Sequence, residues 1–211
     1  MRKAFLLILS VIVMAATASA QSPSSVVDKV LGAMKASSAI SASYVMSSPQ
    51  GNSRGTLVMS GKKFRLMADD VKCWYNGTTM WSYSTATGEV NITTPTAADL
   101  QMTNPYSVAQ NFKSAYIVSK GGKGNGTYTL RFTPKKKTNV KHLLVTVSTY
   151  SWLISKTEIV QTNGTKVTIT ISNYNKNASV NASTFEFDKS QVPAGTEVVD
   201  LELCTYNSHY Q

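Results

Sequence analysis

The sequence predicts an α+β chain that is mainly β: a many-stranded antiparallel sheet with an N-terminal helix and short internal helices laid across its concave side. Three observations carry this. Apolar and polar residues alternate with period two along most of the chain, turn dipeptides separate the alternating runs, and helical spacing is confined to two segments.

The clearest alternating runs are Thr56–Met59, Lys63–Leu66, Met80–Tyr83, Tyr128–Phe132 and Lys166–Ile171, each reading as a strand with one buried and one wet face. Ser60-Gly61, Asn76-Gly77, Thr87-Gly88 and Asn163-Gly164 supply the positive φ that tight hairpins need, so the topology reads as a meander. Helical spacing runs from Ser24 to about Ile40, where Val26, Val27, Val30, Leu31 and Met34 form one apolar stripe and Ser24 or Ser25 is available as a cap. It returns between Thr94 and Phe112, which Pro95 and Pro105 divide into two short helices. The lysines at 135–137 and the glycines at 121–126 read as surface loops. Such a sheet is expected to bury one face under its helices, with room for a pocket between the layers.

The N-terminus reads as export. Arg2 and Lys3 precede an apolar run from Phe5 to Ala16, and Ala18-Ser19-Ala20 is a small-x-small cleavage signal, so residues 1–20 are a signal peptide removed after Ala20 and 21–211 a single domain. No cysteine follows the cleavage point to accept a lipid. The apolar run is about 12 residues, short of the roughly 20 needed to span a bilayer. Loss of Arg2 and Lys3 lowers the formal charge from +10 to +8, a field that favours anionic surfaces; the solvated basic face is the plainer account. An oxidising compartment permits a disulfide between Cys73 and Cys204, and two buried free thiols fit equally well.

The residues offer little chemistry. No nucleophile elbow, CxxC pair or phosphate-cradling glycine loop is present, and Gly121 to Gly126 matches neither nucleotide-binding pattern. His142 and His209 are far from ligand spacing, so no metal is expected. In a strand, the adjacent Asp69 and Asp70 would point to opposite faces, which disfavours joint acid–base work. The chain reads as a non-enzyme. What it has instead is a set of large apolar side chains on amphipathic strands, suited to ordinary packing or to sheltering acyl chains, whose burial is worth about 0.8 kcal/mol per methylene.

The order of motifs resembles the LolA family of periplasmic outer-membrane lipoprotein carriers over nearly the whole chain after residue 20. Asn76 to Tyr83 followed by Gly88 to Ile92 is similar to the family's D-G-K-x-x-W-x-Y strand and the strand after it, and Asn104-Pro105-Tyr106 resembles the start of its lid helix. Tyr128 to Lys135 is similar to its Y-x-L-x-x-x-P-K segment. Ser172 through Phe187 and Pro193 to Val198 resemble its closing strand and P-x-G-x-x-V turn. The resemblance implies an unclosed antiparallel β-barrel, a half-barrel sheet covered by helices, whose apolar cavity carries acylated lipoproteins or lipids. It implies an inner-membrane ABC transporter that loads the carrier and an outer-membrane acceptor that unloads it, with no cofactor and no nucleic acid partner, and a monomer in the periplasm. The pattern departs at Ser60 to Arg65, where the family's lid-tethering arginine has no counterpart.

Strand alternation and the resemblance together place Phe64, Leu66, Trp81 and Tyr83 in the cavity and Tyr106, Val108 and Ala109 in the lid. A second reading, of another class, is a secreted structural or carbohydrate-binding β-domain, suggested by N-x-S/T triplets at Asn76, Asn91, Asn125, Asn163, Asn177 and Asn181.

Overall fold

The computed structural model describes residues 21–96, Leu100 and 112–201, with the side chains of 112 and 113 excepted. Helix α1 (Pro23–Lys35) opens it. Ser22, and not Ser24 or Ser25, is the cap: its Oγ accepts from Ser25 N at 3.2 Å, and Pro23 fills the first helical position, where no N–H is needed. The helix stops at Lys35, short of the expected Ile40, because Ile40 is claimed by the first strand.

Strands β1 (Ile40–Ser48), β2 (Gly51–Ser60), β3 (Lys63–Ala68), β4 (Val71–Tyr75), β5 (Met80–Ser84) and β6 (Glu89–Thr93) form one antiparallel meander. After the short helix α2 (Phe112–Ala115), β7 (Tyr116–Gly124), β8 (Thr127–Pro134), β9 (Val140–Ser148), β10 (Ile154–Gln161) and β11 (Lys166–Asn175) form a second. Antiparallel pairing of β1 with β11 joins the two into one sheet, and β12 (Glu197–Asp200) adds to β6 in parallel. The order is β12-β6-β5-β4-β3-β2-β1-β11-β10-β9-β8-β7, so among the described residues β12 and β7 do not pair with each other and the barrel is unclosed. Gly61, Gly77, Gly88 and Gly164, at the four expected hairpins, all carry positive φ.

The glycines at 121–126 are not a loop. Gly121 to Gly124 belong to β7, with a bulge between Lys120 and Gly122; an edge strand tolerates glycine and a bulge together, and only Gly126 makes the turn, at φ 67°. The stretch expected to close the sheet ends as strand at Asn175, and Ala182–Phe185 and Lys189–Gln191 are 3₁₀ turns capped by Asn181 and Asp188.

Both faces of the sheet are covered in part. On the concave face Val26, Val27 and Val30 of α1 join Ile40, Leu57, Phe64, Leu130 and Val147 in the main core. Tyr128 Oη donates to Gln21 O at 3.1 Å, and Lys29 Nζ lies 4.3 Å from the centre of the Trp152 ring, which fixes α1 across one end of that face. The opposite, convex face was expected to be wet. Over β3 to β6 it instead carries a second core of Trp74, Tyr83 and Val90, covered by Phe187 and Val192 from the C-terminal segment and joined by Val198 of β12. The Lys72 ammonium donates to Gln191 O at 2.8 Å and pins that segment.

Candidate functional site

Where α1 does not reach, the concave face encloses a cavity of about 290 Å³. Strand alternation builds it. The concave positions of β1 are Tyr44 and Met46; of β2, Ser53 and Leu57; of β3, Phe64, Leu66 and Ala68. Cys73 and Ser82 continue the wall onto β4 and β5, and Leu143, Thr157, Ile159, Ile169 and Ile171 supply the other side from β9 to β11. Nearly all of these are apolar, so the wall favours hydrocarbon over water.

The polar groups are few: Thr157 on β10 and Ser82 on β5 stand apart, and Ser53 and Asp70 meet beside the β3–β4 turn. Asp69 and Asp70 are not in a strand but in the β3–β4 turn, and they part there. Asp69 faces Arg54, 3.6 Å away in an exposed ion pair, whereas Asp70 Oδ1 accepts from Ser53 Oγ at 2.7 Å and lines the cavity. Burial, and then the Asp70 charge, push the Tyr44 hydroxyl up to about 12, against a hydrogen bond with Ser53 that works the other way. Burial pushes the Cys73 thiol up to about 11, opposed by its contact with Ser82 Oγ at 3.8 Å.

Of the residues expected in the cavity, Phe64 and Leu66 line it together. Trp81 and Tyr83 do not: they alternate with Met80 and Ser82 on β5 and turn to the convex core beside Trp74. The phase was misread because the larger side chains of β5 were assigned to the face with the helices, while the convex face is itself buried there under the C-terminal segment. Tyr106, Val108 and Ala109 lie outside the described residues, as does Cys204, while Cys73 is a buried free thiol. Arg65 pairs across the ladder with Trp74 on the convex face, away from the cavity. Tyr44, Ser53, Asp70 and Thr157 were not foreseen. Tyr44 and Ser53 lie in β1 and β2 beyond the alternating runs that were recognised.

Among the described residues no group of three His, Cys, Asp or Glu is placed to hold a metal ion, and no helix is long and apolar enough to cross a membrane. The model of the family described as outer membrane lipoprotein carrier protein LolA matches residues 13–164. The chain belongs to the LolA family. Among solved structures, an uncharacterized conserved protein from Thermus thermophilus superposes with a TM-score of 0.60 at 8% identity, over 83% of this chain and 97% of that one. A LolA superfamily protein from Nitrosomonas europaea gives 0.44 at 11% identity, over 80% and 99%. An outer membrane lipoprotein-sorting protein domain from Vibrio parahaemolyticus, described as putative, gives 0.44 at 10%, over 78% and 96%. At these identities the likeness to the Thermus protein is one of fold alone. No curated protein matches the chain in sequence. The family it belongs to is one described as outer membrane lipoprotein carriers.

Proposed function

We propose that this chain is a periplasmic carrier that shelters the acyl chains of lipoproteins, or of related lipids, in its concave cavity and shuttles them from the inner to the outer membrane. The observation that carries the reading is the cavity itself: about 290 Å³ walled by Leu57, Phe64, Leu66, Ile159 and Ile169 in a member of a lipoprotein-carrier family. Roughly ten methylenes placed there would contribute on the order of 8 kcal/mol before the cost of association. In this reading residues 1–20 are removed on export and 21–211 act as one monomeric domain, loaded by an ABC transporter and emptied by an outer-membrane acceptor. Phe64 and Leu66 contact the chains, and Tyr106, Val108 and Ala109 belong to the cover.

Three of the six asparagines that suggested the carbohydrate-binding alternative are engaged in their own turns. The carboxamides of Asn76, Asn163 and Asn181 accept backbone N–H bonds from Thr78, Thr165 and Thr184 within their own turns. The test is binding of a fluorescent acyl probe together with retention of a triacylated lipoprotein in solution by the purified protein. Saturable binding and a soluble complex are expected; failure of both removes the reading.

A further inference from the structure

Thr157 is out of place in the cavity wall. It sits on β10 opposite Val145 and Ile169, its other neighbours on that wall are Leu143 and Ile159, and it is only 6% exposed. Its Oγ1 is fully shielded and has no hydrogen-bond partner among the described residues. A buried hydroxyl without a partner costs roughly 1–3 kcal/mol, and valine would fill the same volume without that cost. A rotation of about 120° about χ1 carries the hydroxyl to another staggered position, which would turn the one donor on this side of the wall toward an occupant of the cavity.

The other polar feature of the lining has the opposite sense. Asp70 is the one charged residue lining the cavity among those described, solvent-exposed at its mouth and held by the 2.7 Å bond from Ser53, and Tyr44 extends the same polar cluster inward. A carboxylate there repels an anionic end group and accepts from a neutral one that carries hydroxyl or amide protons.

We infer that the cavity selects chains attached through an uncharged carbonyl, an acyl ester or amide, whose oxygen accepts from Thr157 Oγ1, and that Asp70 discriminates against free fatty carboxylates. Thr157 and Asp70 are thus specificity residues of the cavity. This rests on the reading of the cavity as a lipid site and adds the chemistry of the link that it accepts.

The experiment is competition binding on the purified protein with three ligands of equal chain length: a monoacylglycerol, the free fatty acid, and a pyrene-labelled hydrocarbon without a carbonyl. Wild type is expected to prefer the monoacylglycerol over the fatty acid. Thr157→Val is expected to weaken monoacylglycerol binding roughly threefold to tenfold, the worth of one net hydrogen bond, and to leave the hydrocarbon unchanged. Thr157→Ser, which keeps the hydroxyl, restores the preference, and Asp70→Asn strengthens binding of the fatty acid alone. Equal monoacylglycerol affinity in wild type and Thr157→Val, with the hydrocarbon still bound, overturns the inference and spares the carrier reading. No binding of any of the three by wild type removes both.

Discussion

The rings of Trp74 and Phe187 meet edge to face, 5.3 Å between centroids and 61° between planes, on the side of the sheet away from the cavity. That contact fastens a segment more than a hundred residues distant onto β4, and the Lys72 to Gln191 bond closes it from the other side. Phe187→Ala removes the aromatic pair and opens the lid of the convex core. The loss expected in chemical denaturation is about 2 kcal/mol, less than for a fully buried ring because Phe187 is only half-buried. Acyl-probe affinity is expected to stay within a factor of about two, since this core and the cavity lie on opposite faces of the sheet. An affinity loss as large as the stability loss would show that the two faces are coupled.

The two faces also separate Leu66 from Trp81. Leu66 faces the cavity, so Leu66→Asp sets a charge in an apolar wall and abolishes binding of the probe. Trp81 packs on the convex core, so Trp81→Ala is expected to lower stability by about 2 kcal/mol and to leave binding intact once measured where the variant is folded. The reverse pattern, read from probe fluorescence and denaturation midpoints on the same samples, would invert the assignment of β5.

The meander, its hairpin glycines and the apolar stripe of α1 were legible because each is a local pattern: Gly61, Gly77, Gly88 and Gly164 turn where a dipeptide said they would. Phe64 and Leu66 were legible for the same reason, lying in a strand whose alternation is clean. What alternation does not encode is which face a distant segment covers. On β5, large residues at 81 and 83 and smaller polar ones at 82 and 84 suggested that the aromatics look inward, yet burial comes from Phe187 and Val192 on the far side. The polar rim escaped notice because Ser53 and Asp70 meet only through the pairing of β2 with β3, and their bond spans 17 residues of sequence. Thr157 gives no signal at all in sequence, since threonine in a strand is ordinary until its neighbours are known to be aliphatic.

Burial of the Cys73 thiol fixes the alkaline limb of stability. The unfolded thiol titrates near its ordinary 9.0 and the folded one near 11, so above about pH 9 the unfolded chain releases a proton that the folded chain keeps. Stability contributed by the buried neutral thiol is therefore complete below about pH 9 and is lost as pH rises toward 11, at up to about 1.4 kcal/mol per unit. Tyr44, raised to about 12, adds the same sign at higher pH. Denaturation midpoints between about pH 7.5 and 10.5 are expected to fall for wild type and to flatten in Cys73→Ala. Because the thiolate is the nucleophile, alkylation of Cys73 near neutral pH should also be slow in the folded protein and fast in denaturant. Rapid alkylation without denaturant would contradict the burial.

Gly55 sets how closely β2 and β3 approach beside the cavity. It lies between Tyr44 on β1 and Ala68 on β3, and a Cβ added there would fall against the Met67 carbonyl oxygen and the Ala68 Cα, which are backbone and cannot rotate away. Gly55→Ala must spread the two strands, at an expected cost of about 1–3 kcal/mol. Since Tyr44 and Ala68 both line the cavity, the same shift is expected to weaken acyl-probe binding along with stability. Gly32 is the internal control: it is exposed on α1 with nothing within 4 Å of an added Cβ, so Gly32→Ala should stabilise the helix by about 0.5–1 kcal/mol and leave binding alone. The pair is read by thermal denaturation and probe titration side by side. A Gly55→Ala protein as stable as wild type would mean that β2 and β3 have slack at this point, and the close approach would then have no part in shaping the cavity.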